Sequence, residues 1–404
     1  MQDTYTGLER GTAGYRRALV ALVAAGLASF NAMYATQSLL PALTEQLGVS
    51  PAAASLTVSA LTGMLALAIV PVSVLSERFG RGRVMTVSAL SATALGLALA
   101  FAPDIRWLIA GRALQGVLVA GVPAVAMAWI SEEVDPGSLP GAMGRYVAGT
   151  TVGGLLGRLV PSGVLEFANW RWALAATAAL ALAVAVLMAL VLPAQRRFRP
   201  RAITLRGETA ALAGHWRDPA RAALFVLAFL LMGVFVSLYN YLGYRLREEF
   251  GFSEAAVGLV FLIYLVGTWS SARAGAIVAR LGRPVTVTAG ILGCVLGALL
   301  TLSHSLPLLL AGVAVLTGAF FAAHSTASGW VGVLATEHRA EASSTYLLCY
   351  YLGSSVVGFA SGLVFHAGGW AGLVAWLVGL LALALGVVAL ALRSARKRAR
   401  LVNT

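Results

Sequence analysis

The sequence predicts an all-α membrane protein in which twelve transmembrane helices form two similar six-helix bundles. Apolar runs long enough to cross a bilayer follow one another along nearly the whole chain, and a short basic loop recurs half a chain later. Of the 404 residues, 59% are hydrophobic and 11% are charged, and the mean hydropathy is +0.84. These values lie outside the usual range of soluble domains, so a lipid bilayer is the expected solvent.

The apolar runs give the helix count. A helix needs about 20 apolar residues to cross the hydrocarbon core. Runs of that length occur at 17–40, 52–75, 84–102, 106–130, 141–165, 171–193, 222–245, 255–278, 284–303, 307–334, 341–365 and 370–392. We therefore expect an N-terminal bundle at 1–193, a basic cytoplasmic linker at 194–221 that could hold one interfacial helix, and a C-terminal bundle at 222–404.

The arginines predict the orientation. They cluster in alternate gaps between the apolar runs, with Arg273 near an inner helix end, and the gaps assigned to the outside hold only Arg106, Arg171, Arg245 and Arg247. Because basic residues concentrate on the cytoplasmic side, both termini are expected to be cytoplasmic. The first run is too long for a signal-peptide core and lacks a cleavage site, so a retained multi-pass inner-membrane protein is predicted.

Composition argues against other classes of protein. The net charge of +13 is spread over the gaps and is not interleaved with aromatic residues on one face, so no nucleic-acid partner is expected. Cys294 and Cys349 lie inside apolar runs and do not indicate a disulfide framework. The sequence has no metal-ligand spacing, no plausible Ser-His-Asp set and no phosphate-binding glycine loop. We expect no enzyme activity, no cofactor and no metal.

The basic loop carries a family resemblance. It reads S-V-L-S-E-R-F-G-R-G-R at Ser73–Arg83 and returns as G-A-I-V-A-R-L-G-R at Gly275–Arg283, with Ala279 in place of the acid. It resembles the loop signature of the major facilitator superfamily of transporters, whose usual form begins with Gly and carries Asp where this chain has Ser73 and Glu77. In that family the acid pairs with an arginine and with a neighbouring helix start to close the inner side. The resemblance implies gate residues Glu77, Arg78, Arg81, Arg280 and Arg283, with Glu132 and Glu133 as further partners.

The two halves also match elsewhere. Tyr146 corresponds to Tyr346, Gly153 to Gly353 and Trp170 to Trp370, and L-G-V-S at 47–50 corresponds to F-G-F-S at 250–253. Duplication at this spacing is typical of transporters whose substrate site lies near the midplane, where the bundles meet.

Two arginines lie inside predicted helices. Arg112, with Gln115 on the same face, resembles the fourth-helix signature of the superfamily, in which this arginine faces the cavity and is linked to proton transfer. The alternative is hydrogen bonding to carbonyls of neighbouring helices. In the fifth helix, Gly149, Gly153 and Gly157 form a packing face, and Arg158 lies on another face, where it either lines the cavity or makes a structural bond.

Other polar and aromatic residues inside the spans complete the candidate substrate site, although interhelical hydrogen bonding or aromatic packing explains each of them as well. They are Asn31, Tyr34 and Gln37 in helix one, Tyr239 and Asn240 in helix seven, Tyr264 in helix eight, His324 in helix ten, and Tyr350 and Tyr351 in helix eleven. The imidazole of His324 could change protonation during transport, which makes it a proton-coupling candidate with Arg112. Its alternative role is that of a neutral histidine donating to a carbonyl.

All sixteen acidic residues fall in loops or at helix ends. A cavity with arginines and no carboxylate favours a neutral or anionic solute. The stretches at 239–246, 323–332 and 347–358 are similar to a bacterial inner-membrane branch of the superfamily, that of drug-type or arabinose-type efflux proteins. We therefore predict a monomeric, proton-coupled antiporter that exports a small organic solute. The alternatives are an organic-anion importer or exchanger and, in another class, a non-cycling membrane receptor or interaction protein.

Overall fold

The computed structural model describes residues 7–198, 205–335 and 339–402, and the described residues are almost entirely helical. Ten helices are long and apolar enough to cross a membrane. The last of these is divided by Gly369, and Leu139–Leu165, with 27 residues, is also of spanning length. The described ranges therefore contain twelve helices of spanning length, as the sequence predicts.

We number these helices in chain order. They are α1 Ala13–Tyr34, α2 Pro51–Phe79, α3 Arg81–Leu99, α4 Ile105–Glu133, α5 Leu139–Leu165, α6 Trp170–Val191, α7 Pro219–Phe250, α8 Glu254–Leu281, α9 Arg283–Leu300, α10 Leu306–Leu334, α11 339–368 and α12 370–402. The first half is α1–α6 and the second half is α7–α12.

Several boundaries differ from the sequence prediction. The first helix ends at Tyr34, not at residue 40, because a turn and a short helix, Leu40–Leu47, follow it, with Pro41 in the first turn of the short helix. Helix α4 is interrupted at Ala120. The division between α11 and α12 falls at Gly369, whose φ of 58° and ψ of −155° suit glycine and few other residues.

The described part of the connection between the halves contains one helix, Leu205–His215, which packs against α2 and α11. Arg199 and Arg201 of the predicted linker lie outside the described residues. The side chains of the basic C-terminal tail, at 393–402, lie outside them as well.

Glycines bring helices into backbone contact at equivalent places in the two halves. A Cβ atom at Gly153 of α5 would overlap the Leu27 carbonyl oxygen of α1, and one at Gly353 of α11 would overlap the Phe229 carbonyl oxygen of α7. Only a residue without a side chain permits such an approach. The correspondence between Gly153 and Gly353 is therefore structural as well as sequential.

The halves meet along two helix pairs, α2 with α11 and α5 with α8. On α11, the Ser355 hydroxyl donates to the Ser59 carbonyl of α2 at 2.6 Å, and a Cβ at Gly63 of α2 would collide with Ser355. On the other side, the backbone N–H of Ala255 in α8 donates to the Glu166 carboxylate after α5 at 2.9 Å. These two seams enclose the centre of the molecule.

The packing predicts opposite effects for two glycines of the same helix. We expect Gly153→Ala to lower the melting temperature of the detergent-purified protein, because its Cβ would overlap the α1 backbone. Gly163→Ala has nothing within 4 Å and should leave stability unchanged or raise it, since alanine favours a helix over glycine by about 1 kcal/mol. Equal melting temperatures for the two variants would contradict this packing.

Candidate functional site

A cavity of about 140 Å³ lies at the junction of the halves, near the middle of the helices. We call it the central cavity. Both halves line it, and the lining combines aromatic rings, three threonines and one charged side chain. Its residues are Phe30, Tyr34, Thr150, Thr151, Gly154, Leu155, Arg158, Met232, Phe235, Tyr264, Thr268, Phe321 and Tyr350. Four of the residues predicted as substrate-binding, Tyr34, Arg158, Tyr264 and Tyr350, are therefore brought together.

Arg158 is the charged residue of this lining, and its guanidinium makes three hydrogen bonds. Nε donates to Gln37 Oε1 at 2.7 Å, and Nη1 donates to the Gly154 carbonyl oxygen, one turn earlier in α5, at 2.6 Å. Nη2 donates to the Tyr264 hydroxyl of α8 at 3.2 Å. A guanidinium has five N–H donors, so these three bonds leave two for a further acceptor.

Aromatic rings from both halves surround the same guanidinium. Its Cζ lies 3.9 Å from the ring centroid of Tyr34 in the first half, and 4.4 Å from that of Tyr264 in the second. The Phe261 ring is 5.3 Å away. The quadrupole of an aromatic face attracts a cation, and the attraction is stronger where water is excluded. Arg158 is 2% exposed, so these rings replace much of its hydration.

Gln37 extends this network to α7. Its Oε1 accepts from Arg158, and its Nε2 donates to Asn240 Oδ1 at 2.8 Å. The chain of bonds therefore runs from Asn240 in the second half, through Gln37 and Arg158 in the first, to Tyr264 in the second. Among the described residues, Asn240 Nδ2 and both amide atoms of the fully buried Asn31 have no hydrogen-bond partner. Such unpaired buried groups are costly and mark a polar interior.

Arg112 and Gln115 do not line the central cavity. The Arg112 guanidinium donates to three backbone carbonyls, those of Thr57, Ala32 and Met33, at 2.6–2.9 Å, and to Gln115 Oε1 at 2.7 Å. These bonds connect α4 to α1 and α2. They have the geometry expected of the alternative role of Arg112, hydrogen bonding to carbonyls of neighbouring helices. A part for Arg112 in proton transfer stays a prediction.

The other predicted site residues lie behind the lining. His324 Nδ1 is 3.0 Å from the Tyr346 hydroxyl, and its ring centroid lies 4.7 Å from that of Tyr350, which does line the cavity. Tyr239 hydrogen-bonds through its hydroxyl to Thr317 at 2.7 Å, and Tyr351 packs at right angles against Tyr350. These side chains can affect the cavity only through the residues in front of them.

The cavity is closed toward one end of the molecule. We call the end that carries Arg81 and Arg280 the basic end, and the opposite end the distal end. At the distal end, the Tyr244 hydroxyl donates to the Leu40 carbonyl oxygen at 2.9 Å and hydrogen-bonds to the Thr44 hydroxyl at 2.7 Å. Arg247 forms an ion pair with Glu45 at 3.0 Å.

Hydrogen bonds between the halves are unevenly distributed. Within the described ranges, all of them lie at the level of the cavity or toward the distal end. In the sequence, Arg247 stands out only as an exception to the charge bias, and no pattern predicts a role for Glu45 or Tyr244. The sequence match of 47–50 with 250–253 is the feature that could have indicated these contacts. It places the neighbouring segments that carry Glu45 and Arg247 at equivalent positions in the two halves.

The predicted gate residues make different contacts in the two halves. Arg81 forms ion pairs with Glu77 and with Glu132, the latter at 3.2 Å, and both partners belong to the first half. Arg78 lies over the ring of Phe79. In the second copy of the loop, Arg280 is exposed and Arg283 is half-buried.

Glu133, the other predicted partner of the gate, has a different role. Its carboxylate accepts the backbone N–H groups of Arg196 and Arg197 after α6, at 2.8–3.0 Å. The acid therefore fixes the start of the connection between the halves and does not pair with Arg81.

Comparisons with known proteins agree with this architecture. The family model of the Major Facilitator Superfamily matches residues 22–268 and 241–404. The chain is 41% identical over 372 residues to the inner membrane transport protein YnfM of Escherichia coli (strain K12), covering 92% of this chain and 89% of YnfM. It is 38% identical over 370 residues to the MFS-type transporter YybF of Bacillus subtilis (strain 168), covering 91% and 92%.

A solved structure has the same fold. The crystal structure of a bacterial homologue of the human lysosomal transporter Spinster, inward-facing and unoccupied, aligns with a TM-score of 0.76 at 18% identity. The alignment covers 95% of this chain and 98% of that one. Together with the two-bundle architecture, these matches show that the chain belongs to the major facilitator superfamily of membrane transporters.

Proposed function

We propose that this transporter exports a small organic solute across the bacterial inner membrane by alternating access, as a monomer and in antiport with protons. Its two bundles, 1–193 and 222–404, would rock against each other around the central cavity. The observation that carries this proposal is the uneven closure of that cavity. Bonds between the halves hold the distal end together, whereas each ion pair at the basic end among the described residues stays within one half.

Alternating access requires bonds that can form on either side of the site in turn. The Tyr244 and Arg247 contacts would break when the distal end opens. Glu77 and Arg81 would then be free to engage the second half at the basic end, as the family resemblance implies. With both termini in the cytoplasm, as we propose, the basic end would face the cell interior, and an exporter would collect its solute through that end.

Proton coupling needs a group that titrates near neutral pH. None of the residues that line the central cavity is acidic. His324 contacts Tyr350 directly, and an imidazole can take up and release a proton. We propose His324 as the proton carrier. A charge on its imidazole would then affect the cavity through Tyr350 and Tyr346, the side chains that it contacts.

A second candidate function is organic-anion import or exchange, and Arg158 favours it. The two remaining N–H donors of its guanidinium can bind a carboxylate, and planar donors arranged in this way match carboxylate geometry. The aromatic residues in the cavity lining, among them Phe30, Phe235 and Phe321, suit a planar solute. The Arg158 side chain makes a lipophilic cation an unfavourable occupant.

His324→Gln should uncouple transport from protons. The solute to use is the one that most stabilises the purified protein in a thermal-shift screen of dyes, sugars, amino acids and carboxylates. In proteoliposomes, the variant should lose accumulation driven by an imposed pH gradient but retain counterflow driven by the solute gradient alone. His304→Gln is the matched control, because His304 is exposed at the distal end. Loss of counterflow in His324→Gln, normal pH-driven accumulation in His324→Gln, or an equal loss of pH-driven accumulation in His304→Gln would contradict the assignment.

Arg158→Gln should weaken organic-anion binding selectively. Benzoate is a suitable planar anion and tetraphenylphosphonium a suitable cation, with binding measured as a thermal shift of the purified protein. A hydrogen bond to a charged group contributes about 1.5–3 kcal/mol, so benzoate affinity should fall roughly 10- to 100-fold. Arg158→Lys should restore only part of it, and Arg83→Gln, outside the cavity, should change nothing. Benzoate binding that Arg158→Gln leaves intact, or an equal loss of benzoate and tetraphenylphosphonium binding, would contradict an anion site at Arg158.

A further inference from the structure

Helix α8 carries an arginine on the side opposite the central cavity. Tyr264 and Thr268 of α8 line the cavity. Arg273 is nine residues after Tyr264, about two and a half helical turns, and therefore lies on the far side of the helix. It is exposed, as is Trp269 one turn before it. Because the cavity side of α8 faces the other half, Arg273 faces the surrounding lipid.

This position is unfavourable for an unpaired charge. Arg273 lies eight residues before the end of α8 at Leu281, about 12 Å along the helix axis. Its guanidinium carbon is 4.2 Å from the centroid of the Trp269 ring, and among the residues that the structure describes no carboxylate forms an ion pair with it. Charged side chains that face lipid are costly without a partner or access to the headgroups. An anionic group of a membrane lipid would supply the partner that this guanidinium needs.

An apolar groove of about 460 Å³ runs beside this arginine, between α8, α9 and α10. Its lining consists of Val266, Trp269, Ser270, Ile277, Leu281, Thr286, Ala289, Gly290, Ala314, Val315, Gly318, Ala319 and Ala322, none of which is acidic. From Leu281 at the basic end to Val266, the groove spans about 22 Å of α8, roughly the depth of one leaflet and its headgroup region.

Positive charge lies along the outer face of α8, beside the groove. Arg273 and Arg280 are seven residues apart, about two turns, so they lie on nearly the same face of α8, and both are exposed. We propose that these two arginines and the groove form a binding site for an anionic phospholipid of the leaflet at the basic end. One acyl chain would fill the groove, and the phosphate would bind the two guanidinium groups.

The arrangement also gives the lipid a place in the transport cycle. The other face of α8 lines the cavity and packs against α5 at the seam between the halves. A lipid bound to the outer face of α8 would be attached to an element that has to move when the halves rock, so anionic lipid would bias the transport cycle.

Native mass spectrometry of the full-length protein in detergent tests the site. The probes are phosphatidylglycerol, phosphatidylcholine of the same chain length, and inorganic phosphate. We expect the wild type to retain one phosphatidylglycerol at a concentration at least tenfold below that needed for phosphatidylcholine. Inorganic phosphate should give no retained adduct, because it has no chain to occupy the groove.

Three variants distinguish lipid binding at this site from non-specific binding of anionic lipid to the basic surface. Arg273→Gln removes the charge, and Ala289→Phe fills the groove from an exposed position; each should reduce retained phosphatidylglycerol at least fivefold. Arg145→Gln, an exposed arginine at the basic end of α5, should leave retention at the wild-type level. Thermal unfolding of each variant without lipid verifies that it is folded.

Three results would overturn the proposal. One is equal retention of the two lipids by the wild type, and a second is unchanged phosphatidylglycerol retention in Arg273→Gln and Ala289→Phe. The third is a dimer that both variants abolish, since this face would then bind a second copy of the chain.

Discussion

The structure depends on how one positive charge is accommodated at the junction of two helix bundles. Arg158 lies deep among apolar helices, where a cation without partners would be very unfavourable. Gln37 and Tyr34 from the first half and Tyr264 from the second surround it. Because the partners come from both halves, any relative movement of the bundles must change the environment of this charge. Arg158 thus couples the chemistry of the cavity to the arrangement of the halves.

Arg112 shows the opposite use of a buried arginine. Its donors reach carbonyls on α1 and α2 only, so it holds helices of one half together and would move with them as a unit. The glycine contacts of Gly153 and Gly353 have the same effect within each half. Firm packing inside the halves, with hydrogen bonds between them concentrated at the cavity and the distal end, is the arrangement expected of two rigid bodies around a shared site.

Much of the fold could be predicted from the sequence because it depends on length, hydropathy and repetition. The twelve spans and the paired glycines are local features of the chain. Which residues line the cavity was harder to predict. It depends on how each helix is rotated about its own axis and on which helices lie at the junction of the two halves. Tyr264 and Tyr350 line the cavity, whereas Tyr239 and Tyr351, equally plausible by residue type, lie behind it. The distal contacts of Glu45 and Arg247 join residues 202 positions apart, a pairing that hydropathy does not reveal.

The central claim is that the two ends of the cavity open in turn, and paired spin-label distances test it directly. In a variant with Cys294 and Cys349 replaced, one label pair at Phe167 and Glu248 reports on the distal end, and another at Arg145 and Ala279 reports on the basic end. We predict that adding the transported solute or lowering the pH lengthens the first distance and shortens the second in the same fraction of molecules. Distances that stay fixed, or that lengthen together at both ends, would contradict alternating access in this protein.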